Sequence, residues 1–256
     1  MTVQDLIKHI IKLKGSGLNG DEGVLFGDPN AEIRGLLLCW MADVGALRAA
    51  AAQGCNVVLC HEQFYFTTMF GPLTAQEMSW PANRARLAAA AAGGLTVLRV
   101  HGSLDMICIW DEFIRVLGVE NPTPGTGWNK VLPIPRTTVR ELVAKVKATF
   151  NVSHVRMTGD LDKVVSVAGF PWGGLGLDTN VGYQATCVNL GAEVLIAGEC
   201  DEYGFSFARD AGVPMIETGH ALSENPGVKL FAARLEQEFA GLKTVFHPDT
   251  SAFTTV

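Results

Sequence analysis

Three short groups in this chain carry residues able to do metal chemistry. His101-Gly102-Ser103-Leu104-Asp105 and His220-Ala221-Leu222-Ser223-Glu224 each place a carboxylate four residues after a histidine. They follow the apolar runs Leu95–Val100 and Val213–Ile216, and short apolar runs with β-branched residues read as buried strands. The third group, His61-Glu62, follows Val57–Cys60. Imidazoles with carboxylates form a mixed N/O donor set, which suits Fe, Mn or Zn rather than a thiolate-rich structural zinc site. A pair of such ions lowers the pKa of a bound water and stabilises charge on attacking and leaving atoms. Adjacent side chains at a strand end point different ways, so His61 and Glu62 suit two ions better than one. Plainer readings stand beside these: Ser223-Glu224 as a helix start, Asp105 as the cap of a following helix, and His61-Glu62 as a polar strand end. Glu199 is open between a proton shuttle and a partner for arginine or backbone. His101 fits a role orienting a ligand through a hydrogen bond.

The bulk properties bound the answer. The chain has 256 residues, 48% of them hydrophobic, enough for one large or two modest cores and against disorder. Its net charge is -6, which disfavours nucleic acid and anionic membrane as partners. The six cysteines form no CxxC pair and read as reduced, mostly buried thiols of a cytoplasmic protein. The opening MTVQDLIKHIIKLKG reads as an amphipathic helix carrying Asp5, not a signal peptide. No uncharged run approaches the ~20 apolar residues of a membrane helix.

The elements that must position the chemistry follow from periodicity and breakers. The pattern predicts helices over Thr2–Lys14, Asp43–Gln53, Ala82–Ala92, Leu104–Leu117, Thr137–Phe150, Thr179–Leu190, Tyr203–Asp210 and Val228–Phe239. It predicts a short strand and turn over Gly23–Pro29 and strands near Gly35–Trp40, Val57–Cys60, Leu95–Val100, Val155–Met157, Lys163–Ala168, Glu193–Ala197 and Val213–Ile216. Lys243 onward begins as a possible edge strand. Cys60 points away from His61 and reads as core. The aromatic cluster Phe64 to Phe70 (Phe64, Tyr65, Phe66, Phe70) walls a pocket or buries a subunit contact, and Trp80 ends the same stretch, which reads as a loop and short helix. Phe170–Gly176 lacks the Lys-Ser/Thr of a P-loop and reads as a turn. Gly- and Pro-rich Asn121–Pro135 reads as a linker or exposed loop.

The halves echo each other. Asp43-Val-Gly opens a helix that Gly54 ends, and a strand then leads to Glu62. Asn180-Val-Gly, Gly191 and Glu199 repeat that spacing without a gap, and His101 and Asp105 match His220 and Glu224. Such self-similarity implies two related α/β units: residues 1–120, a linker at 121–136, and 137–256, packed around a shared cleft.

Several of these stretches resemble a known family, the Nif-three-like proteins, also labelled GTP cyclohydrolase I type 2 homologues. DEGVLFGDP resembles its N-terminal turn around Gly-Asp-Pro, and VVLCHEQFYF stands at its strand followed by His-His-Pro. VHGSLD stands at its His-Thr-x-x-Asp, LIAGECDEYG at its Thr-Gly-Glu segment, and TGHALSE at its Gly-His-x-x-Ser-Glu. The resemblance spans nearly the whole chain. It implies two intertwined pseudo-symmetric α/β units with mixed sheets, a homohexameric ring, and a dinuclear centre of two divalent ions per subunit. It implies His61, Glu62, Asp105, His220 and Glu224 as ligands. Here Glu62 stands where the family has a second histidine and Gln63 where it has proline, so one ion is expected if Glu62 does not ligate. The function implied is a metal-dependent hydrolase acting on a small polar substrate through metal-activated water, with Glu199 or His101 carrying protons. The rival expectation is a metal-delivery or scaffold protein without turnover.

Overall fold

A computed structural model describes residues 1–68, 73–124, 128–249 and 252–253. The chain is mixed α/β and carries two five-stranded mixed sheets. By contacts it divides into two units. One takes Met1–Cys108 with Val228–Asp249, and the other takes Ile109–Gly227.

In the first unit, α1 (Val3–Lys14) starts from a capping box in which Thr2 and Asp5 satisfy each other's backbone amides. The strands are β1 (Gly23–Phe26), β2 (Leu36–Cys39), β3 (Val57–Cys60) and β4 (Thr96–Arg99), joined at the far edge by the C-terminal β10 (Thr244–His247). Their order is β1-β4-β3-β2-β10, with β1 antiparallel and the others parallel. Every side chain of β2 and β3 is buried, as strands covered on both faces require. Leu37, Cys39, Val58, Cys60 and Val97 form one core with Ala46, Leu47 and Ala50 of α2 (Val44–Ala52) and Ala90 of α4 (Pro81–Ala92). Asp43 caps α2 by accepting from the Ala46 amide at 2.7 Å. Cys60 thus packs in the core, where burial pushes its thiol up to about 12.

The segment after β3 is fastened to α4. Asn83 exchanges hydrogen bonds with the backbone of Phe66, and Arg86 donates to the Phe64 carbonyl at 2.9 Å. The aromatic residues there divide. Phe64 is core, Tyr65 donates to the Leu25 carbonyl, and Phe66 lies exposed beside the Arg86 guanidinium. Trp80 precedes α4 as its N-cap residue. Phe70 lies outside the described residues. The short α3 (Ala75–Met78) precedes α4.

After β4 come α5 (Gly102–Leu104), a π-helical turn over Asp105–Ile109, and α6 (Trp110–Val116). The continuous helix expected over Leu104–Leu117 is therefore interrupted, and the wide turn starts at Asp105.

The second unit holds β5 (Val131–Thr138), β6 (Met157–Thr158), β7 (Val164–Gly169), β8 (Val194–Ala197) and β9 (Met215–Glu217) in the order β5-β7-β8-β9-β6. The three central strands are parallel and both edges antiparallel. β5 overturns part of the loop expected over Asn121–Pro135, of which residues 125–127 lie outside the described residues. Pro133 and Pro135 cannot donate to a ladder, but β5 is an edge strand with an irregular register past Pro133, where proline is tolerated. Thr138 and Glu141 form the capping box of α7 (Val139–Phe150). α8 (Val181–Asn189) and α9 (Glu202–Asp210) pack beside β7 and β9 respectively.

The last helix starts earlier than expected. α10 runs His220–Glu238 with Pro226 inside it, so His220 and Glu224 share a helix rather than a loop past a strand. Pro226 removes the amide that would bond the Leu222 carbonyl. Gly227 is needed there because a side chain would meet the Ile109 backbone. The unit boundary at Gly227 lies within α10, so the end of α10 and β10 belong with the first unit.

Candidate metal centre

Register decides which candidate residues meet. Cys60 and Arg99 are partners in the β3–β4 ladder, so the residues just past them, Glu62 and His101, leave adjacent strand ends side by side. Ala197 and Glu217 are partners in the β8–β9 ladder, which brings Glu199 beside His220. Both pairs lie beyond the C-terminal ends of parallel strands, where open α/β sheets bind ligands.

In the first unit the His61 ring is fully buried. Its Nδ1 is 3.3 Å from the Val100 carbonyl, and its Nε2 is 3.8 Å from Asp105 Oδ1. His101 is arranged the same way, with Nδ1 2.9 Å from Asp21 Oδ2 and Nε2 3.8 Å from Glu62 Oε1. His61, Glu62 and His101 each offer a ligand atom within 4.8 Å of the others. Glu22 holds the turn that carries His101: its carboxylate accepts from the His101 and Ser103 amides at 2.7 and 2.8 Å and from the Ser103 hydroxyl. Burial alone would raise the Asp21 carboxyl, but the His101 hydrogen bond and the Arg99 charge outweigh it and hold the group below its ordinary value.

In the second unit His220 Nδ1 lies 2.9 Å from Glu199 Oε2, and Nε2 lies 3.4 Å from Glu224 Oε2, one helical turn on. Glu224 is 2% exposed. The Phe170–Gly176 loop is more than a turn. Gly173, at φ +53°, lies so close to the Glu224 carboxylate that a Cβ would overlap it, and its amide donates to Ser223 Oγ at 2.9 Å. Ser223 in turn donates to the His220 carbonyl. A side chain at Gly198 would strike the Gly173 backbone, so two glycines allow this close fit. The repeat is imperfect at its start, for Asn180 makes no side-chain cap and instead donates to the Gly174 carbonyl.

These donor sets fit a divalent ion. Two ligand atoms at about 2.1 Å from one ion stand about 3.0–3.4 Å apart. The Nε2–carboxylate separations of 3.4 and 3.8 Å approach that spacing. Fixing Nδ1 on an oxygen leaves Nε2 as the donor, as metal-binding histidines require. Each predicted residue is thus found at a strand end or helix start beside another of its own unit: His61 with Asp105, Glu62 with His101, and His220 with Glu199 and Glu224. Sequence reasoning did not single out Asp21, Glu22, Arg99 or Gly173, and it read Ser223 only as part of a helix start. Their contacts cross many tens of residues, and only the glycine pair of Trp172-Gly173-Gly174 gave a local sign.

Comparison with known proteins agrees with the fold. A curated relative, the GTP cyclohydrolase 1 type 2 homolog of Chlamydia pneumoniae, is 22% identical across 99% of this chain and 100% of its own length. Its namesake from Nostoc is 23% identical over 78% of this chain and 76% of its own. Among solved structures, Staphylococcus aureus protein SA1388 superposes with a TM-score of 0.82 at 16% identity, covering 100% of this chain and 99% of that one. A Bacillus cereus protein related to NIF3 gives 0.82 at 13% identity, with the same coverage. Residues 1–251 match the Duf34/NIF3 (NGG1p interacting factor 3) family as a whole, and the chain belongs to that family.

Proposed function

We propose that this protein binds divalent metal and uses it to hydrolyse a small polar substrate. The observation that supports this most is the shared design of the histidines: Nδ1 held by a carbonyl or carboxylate and Nε2 turned to a second carboxylate. His61 and Asp105 are the ligands proposed in the first unit, His220 and Glu224 those in the second, and Glu62 completes the set the family resemblance implies. A divalent cation there supplies Lewis acidity and a water of lowered pKa. Glu199 accepts from the His220 ring at Nδ1, and its half-exposed carboxylate supports a role as the proton carrier to solvent. His101, held by Asp21, does the same beside Glu62. The relatives' GTP cyclohydrolase name suits water addition to a cyclic, nitrogen-rich substrate, and a nucleotide or phosphoester fits the same chemistry.

The reading includes a cytoplasmic homohexamer. All six cysteines are buried, as thiols of a reducing compartment are expected to be. Among the described residues no helix is long and apolar enough to cross a membrane. The test is elemental analysis of protein purified without chelators, beside a panel of cyclic amide, nucleotide and phosphoester substrates. The expected result is stoichiometric metal with turnover, both lost in His220→Ala while the circular dichroism is unchanged. Metal that passes to an apo-acceptor without turnover would support delivery instead. Light scattering tests the ring.

A further inference from the structure

Within the second unit, Arg156 and Glu217 tie the turn that carries Glu199 to the strand that leads to His220. Glu217 ends β9, three residues before His220. Its side chain is only 8% exposed and takes a two-pronged hydrogen bond from the Arg156 guanidinium, Nε to Oε2 and Nη2 to Oε1. Bidentate geometry and the burial of one partner lift such a pair above an ordinary surface ion pair. Arg156 stands just before the edge strand β6, and its carbonyl accepts from the Glu217 amide at 3.0 Å. Holding β6 on β9 needs no more than this, yet both side chains reach further. Glu217 Oε1 accepts from the Cys200 amide at 3.0 Å, and Arg156 Nη2 donates to the Cys200 carbonyl at 2.7 Å. Both backbone groups of Cys200 are thereby occupied. Cys200 directly follows Glu199, whose own amide donates to the Gly173 carbonyl at 2.6 Å. The Glu199 backbone is thus pinned on both sides, and its carboxylate stands 2.9 Å from His220 Nδ1.

We infer that the Arg156–Glu217 pair positions the histidine of the candidate metal centre: it sets the Glu199 turn against β9, so that the Glu199 carboxylate meets His220 Nδ1 and leaves Nε2 to the ion. This rests on the metal-binding reading above and deepens it. Arg156 is no ligand; it acts on the ring through Glu199.

Calorimetric titration of chelator-stripped protein with Mn²⁺ tests this as a double-mutant cycle over Arg156→Met and Glu199→Gln. Arg156→Met is expected to weaken Mn²⁺ binding by about 10-fold, and Glu199→Gln at least as much. The double variant is expected to bind less than about twofold more weakly than Glu199→Gln alone. Arg140→Gln removes an exposed ion pair with Asp162 in the same unit and is expected to keep the wild-type affinity. Arg156→Lys keeps the charge and loses the fork, and it carries the same cycle if Arg156→Met does not fold. A role confined to holding β6 would lower the melting temperature in both backgrounds and leave the affinity unchanged, which would overturn the inference. Losses that multiply in the double variant would overturn it too, as would a loss in Arg140→Gln equal to that in Arg156→Met. Each of these leaves metal binding standing. No uptake by the wild type would instead overturn the metal-binding reading, and this inference with it.

Discussion

Glu199 and Glu77 show how single carboxylates work in this chain. Glu199 is the partner of His220 Nδ1, and a group that orients a ligand typically contributes about 10–100-fold to metal affinity. Glu199→Gln is therefore expected to weaken metal binding by about that factor, short of the loss in His220→Ala; calorimetry gives both, and an unchanged affinity would remove Glu199 from the site. Glu77 is a structural case. The Thr68 hydroxyl and amide and then the Thr74 amide and hydroxyl donate to its carboxylate, holding it down to about 2. A carboxyl lowered in the folded state contributes stability above its unfolded value of about 4.3 that is lost as pH falls toward 2. Melting temperatures between pH 2 and 7 should show the wild type falling more steeply than Glu77→Gln, with the two curves converging in acid. Parallel curves would contradict the argument. At this scale the sequence revealed residue types and local spacing. His220 and Glu224 are legible by residue type and spacing, while the helix that makes this spacing one turn is not expected there. Arg99 with Asp21, or Gly173 with Glu224, become neighbours only through chain folding, and no local pattern encodes that.

The elements turn that spacing into geometry, and the Phe170–Gly176 loop is where a small change should matter most. Gly173 sits at positive φ, and a methyl group there would overlap Glu224. Left-handed backbone costs a non-glycine residue about 1 kcal/mol or more, and the overlap adds to it. Gly173→Ala is expected to lower the melting temperature and weaken metal binding together, whereas Gly182→Ala, in open space on α8, should do neither. Equal effects from both would show that the loop is not braced on the ligand helix. Strands and helices with clean periodicity, such as β2, β3, α2 and α7, were legible because burial follows pattern directly. The errors share a cause. Pro133 and Pro135 fall in a stretch that reads as loop by its proline and glycine content, and the last helix is expected only from Val228, just past Pro226-Gly227. An edge position absorbs the first pair. For the second, α10 continues through the proline, and the glycine lets it approach the Ile109 backbone.

At the scale of the whole molecule, the internal repeat was legible as two strand-end clusters. That β10 pairs with β2 and completes the first unit's sheet was not, because a short apolar strand carries no mark of its partner. This arrangement makes stability a direct test of metal binding. An ion that binds only the folded chain stabilises it by about 2.7 kcal/mol at a hundredfold excess over Kd, which for a chain of this size is a rise of roughly 5–11 °C in Tm. Chelator should reverse the shift. Scanning calorimetry with and without Mn²⁺ reads the shift directly: the melting temperature should rise in the wild type and stay unchanged in His220→Ala. No shift at saturating metal would show that the histidine–carboxylate groups hold each other rather than an ion.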